Sequence, residues 1–434
     1  MTEADVKPEN VFRSRNYRLI FFGALVSELG ALLYSFAVSF YILQISGNNA
    51  FLQGLYLSLC GVALLLFTPV GGVLGDRFSK AKIMYLCDFC KGGTIILATV
   101  LMLLLPGAVA HIVILFVLGV LGNVISGIFN PAAGALIPHI VKENQLQQAN
   151  SYFAVKNAVE SIMGVVLAGV LYAAMPIHTL FFVVGACFIA SAVSETMIRC
   201  PYTPPADRLT LRTAVRDMGG GLKYLRTQKA ILALLSAVVF INFFAAPVTG
   251  NFIPYFVRTD LAGAASYLLD RLLTPELWSS VISMSIGLGS LIGAAVLSAR
   301  QPAEKCGHAI AVQLCANAAI FILLSFSYWL LVDRGISLNV FLPLFCLGGF
   351  VTGLQLSFVN IPITTAVMRL VDRDKLSKVN SIINVGSQAM IPIASVLAGA
   401  VLQNLGSTVL LFVCTLGFSV MAVLLLMNKP VREL

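Results

Sequence analysis

Residues 50–105 read AFLQGLYLSLCGVALLLFTPVGGVL (50–74), GDRFSKAK (75–82) and IMYLCDFCKGGTIILATVLMLLL (83–105). Two apolar runs of 25 and 23 residues flank a turn that carries Asp76, Arg77, Lys80 and Lys82. A helix that crosses a hydrocarbon layer needs about 20 apolar residues, because the layer is about 30 Å thick and each residue rises 1.5 Å. Both runs meet that length. Neither alternates with period two, as a strand of a membrane barrel would. The stretch predicts two membrane helices joined by a short basic loop.

The same pattern continues along the chain, with apolar spans at 17–43, 50–74, 83–105, 111–135, 151–174, 178–198, 230–257, 276–299, 308–332, 338–366, 381–403 and 407–427. Composition agrees: 59% of the 434 residues are hydrophobic, 11% are charged and the mean hydropathy is +0.92. A soluble domain carries roughly a quarter charged residues to face water. An all-α integral membrane protein of twelve transmembrane helices follows.

The net charge of +9 would suggest nucleic acid as partner in a soluble protein. Its distribution gives another reason. With the N-terminus inside, 23 Lys and Arg fall in cytoplasmic segments and three (Arg258, Arg271, Arg334) in external loops, with Lys91 and Lys156 within spans. That asymmetry is the positive-inside rule. It predicts both termini in the cytoplasm of a bacterial inner membrane, a bilayer partner and no nucleic acid. The polar first eighteen residues and the long first span argue against a cleaved signal peptide. The nine cysteines are scattered, and Cys87-x-x-Cys90 stands at a helix start without a second ligand pair, so cysteine reads as a small apolar residue.

The longest polar connection, 199–229, holds seven Lys or Arg against two Asp and separates six spans from six. The expected organisation is a tail (1–16), a six-helix bundle (17–198), a cytoplasmic linker (199–229) with a surface helix near 210–226, a second bundle (230–427) and a tail (428–434). At an offset of 230, residues 119–173 align without gaps to 349–403 with eleven identities. These include Asn150-Ser151 with Asn380-Ser381, and Val166 to Gly169 with Val396 to Gly399. Repeats related by an axis along the membrane normal place a substrate site near mid-membrane between the halves.

The run Gly72-Val73-Leu74-Gly75-Asp76-Arg77-Phe78-Ser79-Lys80-Ala81-Lys82 resembles the signature loop of the major facilitator superfamily. Ser79 replaces a glycine and Ala81 a basic residue of that pattern. Phe129-Asn130-Pro131-Ala132, Leu136-Ile137-Pro138, Ala149-Asn150-Ser151 and the segment from Gly164 to Gly169 are similar to the macrolide-efflux and drug:proton antiporter branch. That branch carries a proline after the helix 5 glycine, where this chain has Val165. The resemblance implies two bundles related by pseudo-two-fold symmetry. It also implies a conformational latch of Gly72, Asp76, Arg77, Lys80, Lys82 and Asp88, in which Asp76 meets the N-terminus of helix 11 at Asn380-Ser381.

A charge at mid-bilayer costs at least about 2.5–3.5 kcal/mol on insertion scales. Glu28 lies on a helix 1 stripe of Ala24, Ala31, Ser35 and Ser39, expected to face a cavity, with no basic residue a turn away. Lys156 and Glu160 are spaced i, i+4 and can pair. Their repeat counterparts are Gly386 and Met390, so the scaffold does not require charge there. These three are the candidates for proton coupling or substrate binding. Asn242, Asn251, Gln355, Asn384 and Gln388 can bond substrate or pack helix on helix. Glu195, near the end of helix 6, is expected to reach the interface. The four histidines sit at span ends or loops, and no metal site, catalytic residue or cofactor is expected.

The reading is a monomeric secondary transporter, not an enzyme, that exports amphipathic drug- or macrolide-like molecules by alternating access. No G-x-x-x-x-G-K phosphate loop supplies ATP hydrolysis, so protons, or Na⁺ in their place, drive transport. A carboxylate in an apolar cavity suits proton exchange because desolvation disfavours its ionised form. A lysolipid flippase and a specific metabolite or siderophore exporter remain the alternatives.

Overall fold

The computed structural model describes residues 10–142, 145–199, 229–264, 266–298, 306–370 and 385–428. The first half contains α1 (Arg15–Ile45), α2 (Ala50–Arg77), α3 (Lys80–Leu104), α4 (Ala108–Ile140), α5 (146–174) and α6 (Ile177–Thr196). The second contains α7 (229–261), α8 (Pro275–Ser298), α9 (Cys306–Arg334), α10 (Leu338–Leu370), α11 (Ile391–Leu405) and α12 (Ser407–Met427). Twelve described helices are long and apolar enough to cross a membrane. Several outrun their apolar spans: α1 has 31 residues, and α5 begins at Leu146, ahead of the expected 151. A backbone leaving lipid keeps its hydrogen bonds internal until water can replace them.

Turns between helices are short where backbone freedom allows. Gly406 alone separates α11 from α12, at φ +86. A left-handed conformation of this kind suits a residue without Cβ.

Without a hydrophobic drive between helices in lipid, small residues set how closely they pack. A Cβ on Gly92 of α3 would meet Gly185 O of α6 at 2.9 Å, and one on Gly127 of α4 would meet Leu64 O of α2 at 2.9 Å. In the second half, Gly289 and Gly293 of α8 press on the backbone of α10 at Phe350 and Leu354. The same pairs recur in both halves: α3 packs on α4 and α6 as α9 packs on α10 and α12. The internal repeat thus extends from sequence to helix pairing.

The chain forms two compact units. One comprises residues 1–38 and 63–214, the other residues 39–62 and 215–434. In the second unit the start of α2 lies against α7 and α11. Gly54 abuts Ser395 O, a Cβ on Gly61 would meet Pro392 Cγ at 2.7 Å, and one on Gly399 would meet Ala50 O at 2.6 Å. Gln53, fully buried, donates to Ser39 Oγ (2.6 Å) and Gly250 O (3.3 Å). The expected linker lies, but for its ends, outside the described residues.

Candidate functional site

The first unit brings Glu28 of α1 together with Lys156 and Glu160 of α5. Lys156 Nζ lies 2.5 Å from Glu28 Oε2 and 3.0 Å from Glu160 Oε2. Its distance to Glu160 Oε1 is 3.2 Å. Glu28, which has no basic neighbour on its own helix, therefore finds one across the helix interface. The i, i+4 pair within α5 also forms, and the two are one group around a single ammonium. The two carboxylates stand no more than about 5.5 Å apart, the sum of their distances to Nζ.

Exposure within the group is uneven. The Lys156 side chain is 1% exposed, that of Glu160 5%, and that of Glu28 49%. Glu28 opens on a cavity of about 380 Å³ lined also by Ala31, Leu32, Asn157, Glu160 and Ser161. Two carboxylates and one ammonium leave one negative charge when both acids are ionised. A single proton or monovalent cation neutralises it.

Local backbone geometry makes the arrangement possible. The α-helix of α5 gives way at Glu160 to a five-residue π-turn, Glu160–Gly164, before resuming at Val165. Such turns are rare and often mark functional positions. Gly164 ends the turn, and a Cβ there would meet Leu32 Cδ1 at 2.8 Å and Leu29 Cδ2 at 3.2 Å. The missing side chain lets α1 approach α5 one turn beyond Glu28. Asn157 and Ser161, which sequence reasoning passed over, follow Lys156 and Glu160 directly, and a polar i, i+4 pair beside the charged one was the available signal. Of the α1 stripe, Glu28 and Ala31 line the cavity, Ser35 is exposed, and Ala24 and Ser39 are buried.

The loop residues are placed along two helices. Gly72 and Arg77 lie in the last turns of α2, and Lys80 and Lys82 open α3. The Asp76 side chain and Asn380-Ser381 lie outside what the structure describes. Asp88 stands two turns into α3, 3% exposed, against α6. Asn242 donates to Ser387 O (3.1 Å), four residues ahead of α11, and Asn251 to Ser395 O (3.2 Å) within it, so both use their amides to hold α7 to its neighbour. Gln355 is buried, with Oε1 unpartnered among the described residues, and Gln388 is exposed. Asn384 lies outside the described residues. Glu195 does not reach the interface: it is 0% exposed, because it sits in the seam of α6 against Gly23 of α1.

Comparison with known proteins fits this architecture. A family model described as Major Facilitator Superfamily matches residues 20–341. YfiS, an MFS-type transporter of Bacillus subtilis (strain 168), is 24% identical over 379 residues, covering 85% of this chain and 82% of that protein. Macrolide efflux protein A of Streptococcus pyogenes is 23% identical over 289 residues, covering 65% of this chain and 67% of its own length. The multi-drug resistance efflux pump PmrA of Streptococcus pneumoniae serotype 4 is 25% identical over 289 residues, covering 63% and 65%. Among solved structures, a bacterial homologue of the iron transporter ferroportin, in an inward-facing state, superposes with a TM-score of 0.73. It does so at 15% identity, over 96% of this chain and 99% of that one. The nucleoside transporter NupG superposes with a TM-score of 0.69 at 13% identity, over 95% and 98%. These likenesses establish the fold, and with the family match over most of its length this twelve-helix chain belongs to the major facilitator superfamily of membrane transporters.

Proposed function

We propose that the chain is a proton-driven exporter of amphipathic, cationic small molecules, and that proton and substrate compete for the group formed by Glu28, Lys156 and Glu160. The observation that carries this reading is the sharing of one buried ammonium by two carboxylates that both line the cavity, Glu28 being far the more exposed of the two. Lys156 holds Glu160 in place from its own helix, so Glu28 is the member free to change partner. A cation entering beside Leu32 and Ala31 meets apolar contacts and the uncompensated negative charge together. A proton on Glu28 removes that charge and releases the cation, which gives exchange of one for the other. The names of two similar proteins, a macrolide efflux protein and a multi-drug efflux pump, support export of drug-like compounds.

The test is transport of a fluorescent lipophilic cation in proteoliposomes. Wild type should concentrate the dye under an imposed pH gradient, and Glu28→Gln should lose uphill transport while keeping gradient-free counterflow. Glu28→Asp should retain part of the coupling. Uphill transport by Glu28→Gln at the wild-type rate would remove Glu28 from the coupling role.

A further inference from the structure

A second set of charged groups is buried on the opposite side of α1, and the export reading does not use it. Glu195 of α6 is 0% exposed and, among the described residues, neither of its carboxyl oxygens has a hydrogen-bond partner. Asp88 of α3 is 3% exposed, with Oδ2 unpartnered. The close approach of Gly92 to Gly185 and Phe188 fixes the antiparallel register of α3 and α6. It sets Asp88 level with Ser191, one turn from Glu195. Ser191 stands beside both carboxyl groups, but its single hydroxyl proton goes to Gly23 O at 3.0 Å.

The titratable groups that face one another here are Asp88, Glu195, Cys87 and Lys91. From α1 the seam is met by Gly23, whose added Cβ would lie 3.6 Å from Glu195 Cγ. Lys91 is the one cation among them. It is three residues from Asp88 on the same helix, and its ammonium bonds Ser126 Oγ of α4 at 2.7 Å and lies 4.7 Å from the Phe188 ring centroid. Lys91 is the cation that acts on Asp88, and among the described residues no cation faces Glu195. A buried carboxylate whose nearest donor is a hydroxyl already bonded to a helix carbonyl, with a like charge beside it, is strongly disfavoured. A seam where one added carbon already meets Ser191 Oγ at 3.3 Å has little room for a hydrated ion, whereas a proton needs no space.

We infer that Glu195 is a proton-binding site, held as a neutral carboxylic acid in the seam of α1, α3 and α6, with Asp88 keeping it loaded. It is separate from the cavity group. Gly23 and Glu28 are five residues apart on α1, about 7.5 Å along the axis and roughly 140° around it, so the two sites face different neighbours. Ionising Glu195 would set a second negative charge against Asp88, which makes the α3–α6 seam itself responsive to pH.

Infrared spectroscopy of the purified full chain in lipid nanodiscs tests this. The wild-type minus Glu195→Gln difference spectrum at neutral pH should contain one carboxylic acid C=O band. In Asp88→Asn the same band should vanish at lower pH than in wild type, because the charge that favours the neutral form is gone. Loss of carboxylate bands alone from Glu195→Gln would overturn the inference. Failure of Glu195→Gln to insert and fold would overturn it too, since glutamine reproduces the shape and donor of the neutral acid. So would a melting temperature that rises with Na⁺ over choline at constant ionic strength in wild type but not in Glu195→Gln, which would assign the seam to a cation.

Discussion

Removing the ammonium of Lys156 should damage the protein far more than removing either acid. Lys156→Met strands Glu160, whose side chain is 5% exposed, beside Glu28 with no cation between them. Breaking a buried ion pair by deleting one partner costs about 3–5 kcal/mol, because the remaining charge is left uncompensated. Glu160→Gln is a different case, since Lys156 keeps Glu28 at 2.5 Å and a neutral amide still accepts a hydrogen bond. Its cost should be that of one charge-assisted bond made neutral, about 1 kcal/mol. The double variant leaves only Glu28, half exposed and open to water, so its cost is discounted by solvent screening and should fall between the two singles. The expected order of destabilisation is Glu160→Gln, then the double variant, then Lys156→Met, with a coupling of about 2 kcal/mol from the cycle. Fluorescence-detected thermal unfolding in detergent, with folded yield from size-exclusion profiles, measures it. A Lys156→Met variant as stable as Glu160→Gln, or strictly additive effects, would refute the view that one ammonium holds both acids.

Gly164→Val should separate α1 from α5, because its Cβ lands 2.8 Å from Leu32 Cδ1. The overpacking cost is about 1–3 kcal/mol, and uphill transport should fall more than counterflow; equal loss of both would mean the glycine serves packing alone. Gly54→Val should prise α2 from α11, since the new Cβ runs into Ser395 O and backbone cannot give way as a side chain can. A Gln53→Cys thiol, buried in the parent, should then label with a maleimide, and unchanged protection would show that the contact survives. On sequence grounds, Asp76→Asn should slow turnover without loss of insertion; an unchanged rate with unchanged cysteine accessibility on both sides would remove the latch reading.

The sequence by itself determined the membrane class, the twelve spans and the duplication. Those follow from quantities local to the chain: about 20 apolar residues reach across the hydrocarbon, and the match of Asn150-Ser151 to Asn380-Ser381 needs no coordinates. It also singled out Glu28, Lys156 and Glu160, because charge in lipid is costly wherever it falls. Pairing of Lys156 with Glu160 was legible for the same local reason, four residues being one turn. Only the tertiary structure decided that Glu28 joins them, since 128 residues separate it from Lys156 and their meeting depends on α1 closing on α5 at Gly164. Glu195 was misplaced on sequence because nearness to a helix end implies reach to water. Whether a side chain gets there depends on what packs against it, and α1 and α3 cover this one. The amides of Asn242 and Asn251 gave no sign of which role they take, because a buried amide satisfies a helix carbonyl as readily as a ligand. Their bonds to Ser387 and Ser395 arise from the packing of α7 beside α11 and the residues just ahead of it, far apart in sequence.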